Sequence, residues 1–297
     1  MKFRFIHEEL VPPSSGGFAV VDCCHVLGVS HSGYYRWLRS PAPNRALREA
    51  ELLDEIRIEY RKGRRAYGAP RIWDALVKRG HRVNRKTIAK AMRKAGIRAK
   101  TARKFRVLTT DSNHSYPIAP NLVGRKFSAG GPNELWLTDI TYVRTGQGFL
   151  YLAGVMDVWS RSIVGWSMSE SLHATVALDA LGMAIAKRRP KDGFGKGLVH
   201  HSDRGVQYAC TAYRERLAEH SITASMSRVG NCYDNAMKES FWATLKKELV
   251  HDMEFATFEE ARAAIFEWIE VFYQRERSHS ALGYRSPEAF EAAERRN

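Results

Sequence analysis

No run of apolar residues in this chain approaches the roughly 18–20 that a membrane-spanning helix needs, so no transmembrane segment is expected. The opening MKFRFIHEELVPPSSGG has neither the apolar core nor the small-residue cleavage pattern of a secretory leader. Cysteine is scarce: Cys23, Cys24, Cys210 and Cys232 are the only four, and no two form a C-x-x-C pair. That excludes a disulfide framework and a thiolate zinc site, leaving small buried thiols. No G-x-S-x-G occurs, which removes the nucleophile elbow of a serine hydrolase. With 44% hydrophobic residues and seven tryptophans the chain is not a disordered one. A cytoplasmic protein of two domains, one with a full-sized core, is expected from its 297 residues.

Acidic residues are missing from one region in particular. Formal net charge is +15, yet residues 1–130 hold 27 lysines and arginines against 10 acids, while the remainder holds 20 against 22. The excess is densest between Arg57 and Arg106, where 19 bases face only Glu59 and Asp74. A segment so charged repels itself unless a polyanion neutralises it, and nucleic acid is the expected partner.

The pattern divides the chain into a helical segment over 1–44, a basic helical domain over 45–106, a linker over 107–132 and a larger domain over 133–297. Residues 18–39 read as two short helices around a Gly28-Val29-Ser30 turn, and Leu52, Leu53, Ile56 and Tyr60 mark an amphipathic helix. In residues 66–97, Pro70 suits a first helical turn and Gly80 ends the stripe of Ile72, Trp73, Leu76 and Val77. Asn84 is a natural N-cap for a second helix that Gly96 stops. Two helices joined by a short Gly-containing turn make a helix-turn-helix candidate. Arg71, Arg85, Lys86, Lys90, Arg93 and Lys94 are its expected DNA contacts. From Glu134 onward LWLTDITYV, FLYLAGVMDVWS and RSIVGWSMS predict three consecutive antiparallel strands with Trp136, Trp159 and Trp166 in the core. Helix HATVALDALGMAIAKR, strand LVHHSD, helix YRERLAEH, strand ITASMS, a helix from near Asp234 and a last one over TFEEARAAIFEWIEVFYQ follow. The class is α/β, a mixed sheet flanked by helices behind a small all-α region.

Two carboxylates stand out by position. Asp139 interrupts an apolar strand and Asp203 ends another, immediately before the Arg204-Gly205 turn. A third acid, Glu239, lies on the helix DNAMKESFWATLKKEL. There Met237, Phe241, Leu245 and Leu249 form a core stripe, and Asn235, Glu239, Trp242 and Lys246 form another face. Asp157, also inside a strand, is the main rival ligand. His200 and His201 are expected to pack or hydrogen-bond around Asp203, with His201 as a supporting residue. Asn235 either supports Glu239 or caps the helix.

Exactly 35 residues separate Asp203 from Glu239, and Lys246 follows seven further on. This order resembles the D,D(35)E core of retroviral integrases and insertion-sequence transposases. WLTDITYV, DVWSRSIVGW, HHSDRGVQYAC, SRVGNCYDNAMKESFWATLKKEL and RSHSALGYRSPEAF together resemble the second-frame (OrfB) transposase of the IS-three family. YGAPRIWDALVKRG and GVSHSGYYRWLRS are similar to that family too, so the likeness covers nearly the whole chain. It implies a ribonuclease H-like core in which Asp139 bridges two metal ions and Asp203 and Glu239 each complete one. Two Mg²⁺ roughly 3.5–4 Å apart stabilise the attacking and leaving oxygens of phosphodiester cleavage, with Mn²⁺ as a substitute. It further implies cleavage at insertion-sequence ends, strand transfer into target DNA, and contact of Lys246 with donor-end DNA. Homo-oligomers on DNA, fusion or association with an upstream-frame protein, and nucleoid association when DNA-bound complete the expectation. The rival readings are a DNA-binding regulator without catalysis and a ribonuclease H-like nuclease.

Overall fold

The structure, a computed structural model, describes residues 2–10, 18–39, 44–101, 114–190, 197–228 and 236–295. Part of the expected linker, Asn235 and Cys232 lie outside these residues. Among the described residues six α-helices come first, α1 (Lys2–Phe5), α2 (Val20–Val26), α3 (His31–Arg39), α4 (Asn44–Lys62), α5 (Ala69–Lys78) and α6 (Arg85–Lys94), with a π-helix over Ile6–Leu10 after α1. Pro70 sits in the first turn of α5, and the Asn84 side chain caps α6 by accepting from the Lys86 N–H at 2.8 Å. Ile56, Tyr67, Ile72, Leu76, Ile88 and Met92 join α4, α5 and α6 in one small core.

The larger domain is built on five strands: β1 (Leu135–Thr145), β2 (Gly148–Asp157), β3 (Ile163–Ser169), β4 (Val199–Ser202) and β5 (Thr223–Met226). Their order is β3-β2-β1-β4-β5. The first three are antiparallel as expected, while β4 pairs parallel with β1 and β5 parallel with β4. This is the mixed α/β sheet flanked by helices that the sequence pattern predicts. Both faces are covered, so the strands read as nearly continuous apolar runs. One face puts Trp136, Ile140, Ala153 and Val155 under α7 (Ala174–Arg188), α8 (Val206–Ala209) and α9 (Thr211–Glu219). The other puts Val143, Leu150, Leu152 and Met156 under α10 (Ala236–Glu248), α11 (Phe258–Phe266) and a π-helix over Glu267–Glu276. Each fully buried side chain of this kind is worth about 1.5–3 kcal/mol.

Three features depart from the expected elements. The last long helix divides into α11 and the π-helix, whose Gln274 clips the backbone of Ile163 through bonds of 2.7 and 3.1 Å and so occupies polar groups of β3, an edge strand. Ser286 and Pro287 start a final helix, α12 (Pro287–Glu294). Trp159 and Trp166 are half-buried, unlike Trp136, because Trp166 donates to Glu270 at 2.7 Å at the sheet's rim.

The basic domain is anchored to the C-terminal segment. Tyr67 Oη accepts from Ser278 N–H at 2.8 Å, Lys78 donates to the Tyr284 carbonyl at 2.9 Å, and Arg64 pairs with Glu267 while lying 4.6 Å over the Phe272 ring. Lys100 pairs with Asp252.

Helix α7 packs directly onto β3 at Gly165, where an added Cβ meets the Ala180 carbonyl oxygen at 2.1 Å and the Ala184 nitrogen at 2.6 Å. Backbone atoms cannot step aside as a flexible side chain does. Gly165→Ala is therefore expected to destabilise the core domain by about 1–3 kcal/mol, the usual range for overpacking, read as a lower urea midpoint. An unchanged midpoint would show that α7 does not rest on that strand.

Candidate active site

Strand pairing places the two aspartates. The parallel register of β1 and β4 runs Leu135 with Val199, Trp136 with His200 and Leu137 with His201. Continued two residues, it sets Asp139 opposite Asp203, on neighbouring strands about 4.8 Å apart and on the same face. Both are half-buried. Asp203 lies just beyond the carboxyl end of β4, where its Oδ1 accepts from the Gly205 N–H at 2.9 Å. Asp139 Oδ1 accepts from the Ile140 N–H at 2.9 Å, and Oδ2 from the indole N–H of Trp242 at 3.0 Å. Burial, and then the charge of Asp203, push the Asp139 carboxyl well above the usual carboxylate range.

Helix α10 lies over this pair because the sheet leaves room for it. Gly154 is the β2 partner of Asp139, and a Cβ there would stand 2.8 Å from Lys238 Nζ and 3.1 Å from the Trp242 ring. Trp242 is buried with Phe241, Leu245 and Leu249 and so shares their core, although the sequence pattern groups it with Glu239 and Lys246 on another face of α10. Lys238, which no sequence pattern singles out, is fully buried. Its ammonium lies 4.7 and 4.6 Å from the Phe241 and Trp242 rings and has no hydrogen-bond partner among the described residues. Burial lowers its pKa, and the Asp139 charge opposes that shift.

Glu239 is not brought to the aspartates. It is exposed, one position along α10 from Lys238, and desolvation alone raises its pKa. Among the described residues no group of three His, Cys, Asp or Glu side chains is arranged to hold a metal. The donor chemistry of Asp139 and Asp203 does fit a divalent cation, since hard oxygen ligands suit such an ion and its charge would favour the ionised form of Asp139 that burial and the Asp203 charge oppose. As placed, the third acid does not join them, and an ammonium stands there.

The histidines before Asp203 are buried and hydrogen-bonded to neighbouring elements. His200 bonds to the Tyr213 hydroxyl at 3.0 Å and His201 to Ser225 Oγ at 2.9 Å. Successive strand residues point to opposite faces, so these rings tie β4 to α9 and to β5. Ser202 Oγ donates to the Asp203 carbonyl at 2.8 Å and is no nucleophile. Asp157 is fully buried and accepts from the N–H groups of Asn133 and Trp159 at 2.9 and 3.0 Å. It pairs with Trp136 across the sheet, three positions or about 10 Å along β1 from Asp139, and is a loop anchor. Tyr208, which sequence reasoning missed, is buried close enough to both aspartates for their charges to raise its pKa, after burial itself. Lys246 is half-buried with its ammonium 5.4 Å from the Tyr142 ring; burial lowers its pKa and Asp139 opposes the shift.

The basic domain presents Arg85, Lys86, Lys90, Arg93 and Lys94 as exposed side chains of α6, with Lys94 3.7 Å from Glu49. Arg71 departs from this surface. It is half-buried at the start of α5, 5.4 Å over the Tyr67 ring, and turned toward the C-terminal segment near Arg277.

Comparison with known proteins agrees with this division. Residues 129–232 match the family model of an integrase core domain, 220–287 a second model so described, and 47–105 an HTH-like domain. The chain is 43% identical over 267 residues to the insertion element IS600 uncharacterized 31 kDa protein of Shigella sonnei, covering 90% of this chain and 96% of that protein. It is 40% identical over 294 residues to transposase InsF for insertion sequence IS3A of Escherichia coli strain K12, covering 98% of each. Among solved structures, a simian T-cell lymphotropic virus intasome in complex with PP2A regulatory subunit B56 gamma is similar at TM-score 0.44 and 14% identity, over 71% of this chain and 68% of that one.

Burial pushes the His200 imidazole down to about 3, with His201 adding to the shift, so the ring is neutral when folded. Unfolded, it takes a proton near pH 6.5. Stability from this group is thus full above pH 6.5 and is lost as pH falls toward 3. His200→Gln should flatten the fall of the urea midpoint between pH 6.5 and 4.5; the same slope in wild type and variant would contradict a buried neutral ring.

Proposed function

Because the chain belongs to the family of IS3-type insertion-sequence transposases, enzymes of the polynucleotidyl transferase type with an integrase core, we propose that Asp139, Asp203 and Glu239 are its catalytic acids. The observation that carries this reading is that the Asp203 charge acts on Asp139 from the neighbouring parallel strand, while the helix that bears Glu239 donates to Asp139 through Trp242. Divalent ions, two Mg²⁺ by the family pattern with Mn²⁺ able to substitute, supply Lewis-acid charge when held there.

The remaining roles belong to the chain. Trp242 fixes one oxygen of Asp139, and the Gly205 N–H fixes one of Asp203, so each carboxylate keeps one lone-pair edge oriented. Water attacks a phosphodiester at the element's end and frees a 3′-hydroxyl. That hydroxyl attacks a phosphodiester of the target, with no covalent protein intermediate. Glu239 and Lys246 are seven residues apart, two turns along one flank of α10, so a turn of the helix that carries Glu239 inward carries Lys246 with it toward the donor end. Lys238 and Glu239 differ by about 100° around the axis, so the same turn withdraws the ammonium from Asp139. Asn235, four residues before Glu239 in the sequence, is assigned a supporting role by the family pattern alone. Action on element ends as a homo-oligomer, with an upstream-frame protein supplying further end recognition, and in the bacterial cytoplasm at the nucleoid, completes the proposal. A regulator without catalysis has no use for two facing aspartates, and the basic domain distinguishes the chain from a hybrid nuclease.

Asp139→Asn is expected to leave binding of a labelled element-end duplex unchanged while nicking and joining in Mg²⁺ fall below detection. Equal nicking by the variant would remove Asp139 from the mechanism. Joint replacement of Arg85 and Lys86 by alanine should weaken binding across all sequences. It should also flatten the plot of log K against log salt by about 2, since each lost phosphate contact removes roughly 0.9. An unchanged slope assigns both residues to solvent.

A further inference from the structure

On the far flank of α10 from Glu239 there is a second polar site. Thr244 lies about 140° around the helix from Glu239, and with Ser240 it borders a cavity of about 180 Å³. One water needs only roughly 10–15 Å³ of such space. The other walls bring three guanidinium groups together from distant parts of the chain: Arg71 at the start of α5, Arg161 in the β2–β3 turn, and Arg277 after the π-helix.

The charges there do not cancel. Arg277 is buried and held by Glu248 through bonds of 2.8 and 2.9 Å. No acid lines the cavity itself, and neither Arg71 nor Arg161 has a carboxylate bonded to its side chain among the described residues. Two of three guanidinium charges are therefore uncompensated in a half-enclosed space. His279 records the crowding: it is buried, 3.3 Å from Arg277, and burial followed by the charges of Arg277, Arg161 and Arg71 holds its pKa down at about 2. A neutral ring adds no further positive charge and leaves the arginines to select the ligand.

Like charges converge on a cavity when an anion completes it. A guanidinium offers paired planar N–H donors that match phosphate oxygens. The hydroxyls of Ser240 and Ser280 stand exposed at the rim. We propose that this cavity binds a phosphate group, and that in the working protein the group is a backbone phosphate of the bound DNA. Its location favours that source, because Arg71 belongs to the basic domain and Arg161 and Arg277 to the catalytic core. A DNA strand leaving α6 for the acid pair would be gripped at the seam. The choice of DNA rests on the function proposed above; the anion site itself does not.

The experiment uses the full chain, the double variant Arg71→Gln with Arg161→Gln, and Ser280→Asp. The last leaves every arginine in place and sets a carboxylate at an exposed rim position, so it keeps the test valid if the double variant fails to fold. Inorganic phosphate at matched ionic strength should raise the wild-type melting temperature and leave both variants unmoved. The salt slope for duplex DNA should shrink by roughly 0.9 in the variants, one phosphate's worth. An equal phosphate effect in all three proteins, or none in any, would overturn the site. A phosphate effect lost in the variants with an unchanged DNA slope would assign the site to free phosphate and overturn the DNA source. Neither readout needs nicking, so failure of the acid assignment leaves both intact.

Discussion

Parallel pairing of β4 with β1 forces two carboxylates to share one patch of surface, and much of the surrounding structure answers that repulsion. Burial first, and then the charge of a second acid on the adjacent strand, makes ionisation of Asp139 costly, which is why it takes up protons so readily. Three neutral or positive groups are disposed against it: the Ile140 N–H, the Trp242 N–H and the Lys238 ammonium. The two that come from α10 depend on Gly154, since a side chain on β2 opposite Asp139 would meet Lys238 and the Trp242 ring and hold α10 off the sheet. A glycine in a strand interior costs stability, and here it lets a helix approach.

The same interaction accounts for the position of Glu239. A buried ammonium without a hydrogen-bond acceptor is an expensive group, offset here by aromatic faces and a neighbouring carboxylate. Helix α10 can present Lys238 or Glu239 to the aspartates but not both, because adjacent helical residues point about 100° apart. Beside two acids, a lysine is a better neighbour than another carboxylate. A third carboxylate at that place would add a third repelling charge. The arrangement of α10 thus follows from charge balance at the sheet, and the acid's outward direction is its consequence.

Which parts of this were legible in the sequence follows from which forces act locally. Asn84 and Pro70 announce helix starts by chemistry confined to one turn, and the capped α6 with its exposed bases follows. Asp139 and Asp203 stand out because a charge inside or at the end of an apolar strand is conspicuous, whatever lies across from it. Lys238 is not conspicuous at all, for a lysine in a helix reads as a surface residue until the strand opposite is known to carry an aspartate and a glycine. The histidines of HHSD look like companions of Asp203 in one dimension. Their hydrogen bonds to Tyr213 and Ser225 depend on strand alternation and on which elements flank β4. Arg71 was grouped with the bases of α6 by proximity in sequence, and the anchoring of α5 to the C-terminal segment turns it elsewhere.

Charge is distributed so that the two halves of the chain have opposite tasks. The acid pair, left alone, repels a phosphodiester; a basic surface must bring the backbone close enough for chemistry to compete with that repulsion. Nineteen bases against two acids over Arg57–Arg106 supply long-range attraction, but exposed lysines on α6 are screened within about 8–10 Å at physiological salt. Attraction over the distance between domains therefore cannot be left to α6. Groups near the seam have to take part, and the seam is where Arg64, Tyr67, Lys78 and Lys100 already bind the two halves together. Contacts at that seam set the basic helices beside the core, so that a strand held by one half lies close to the other.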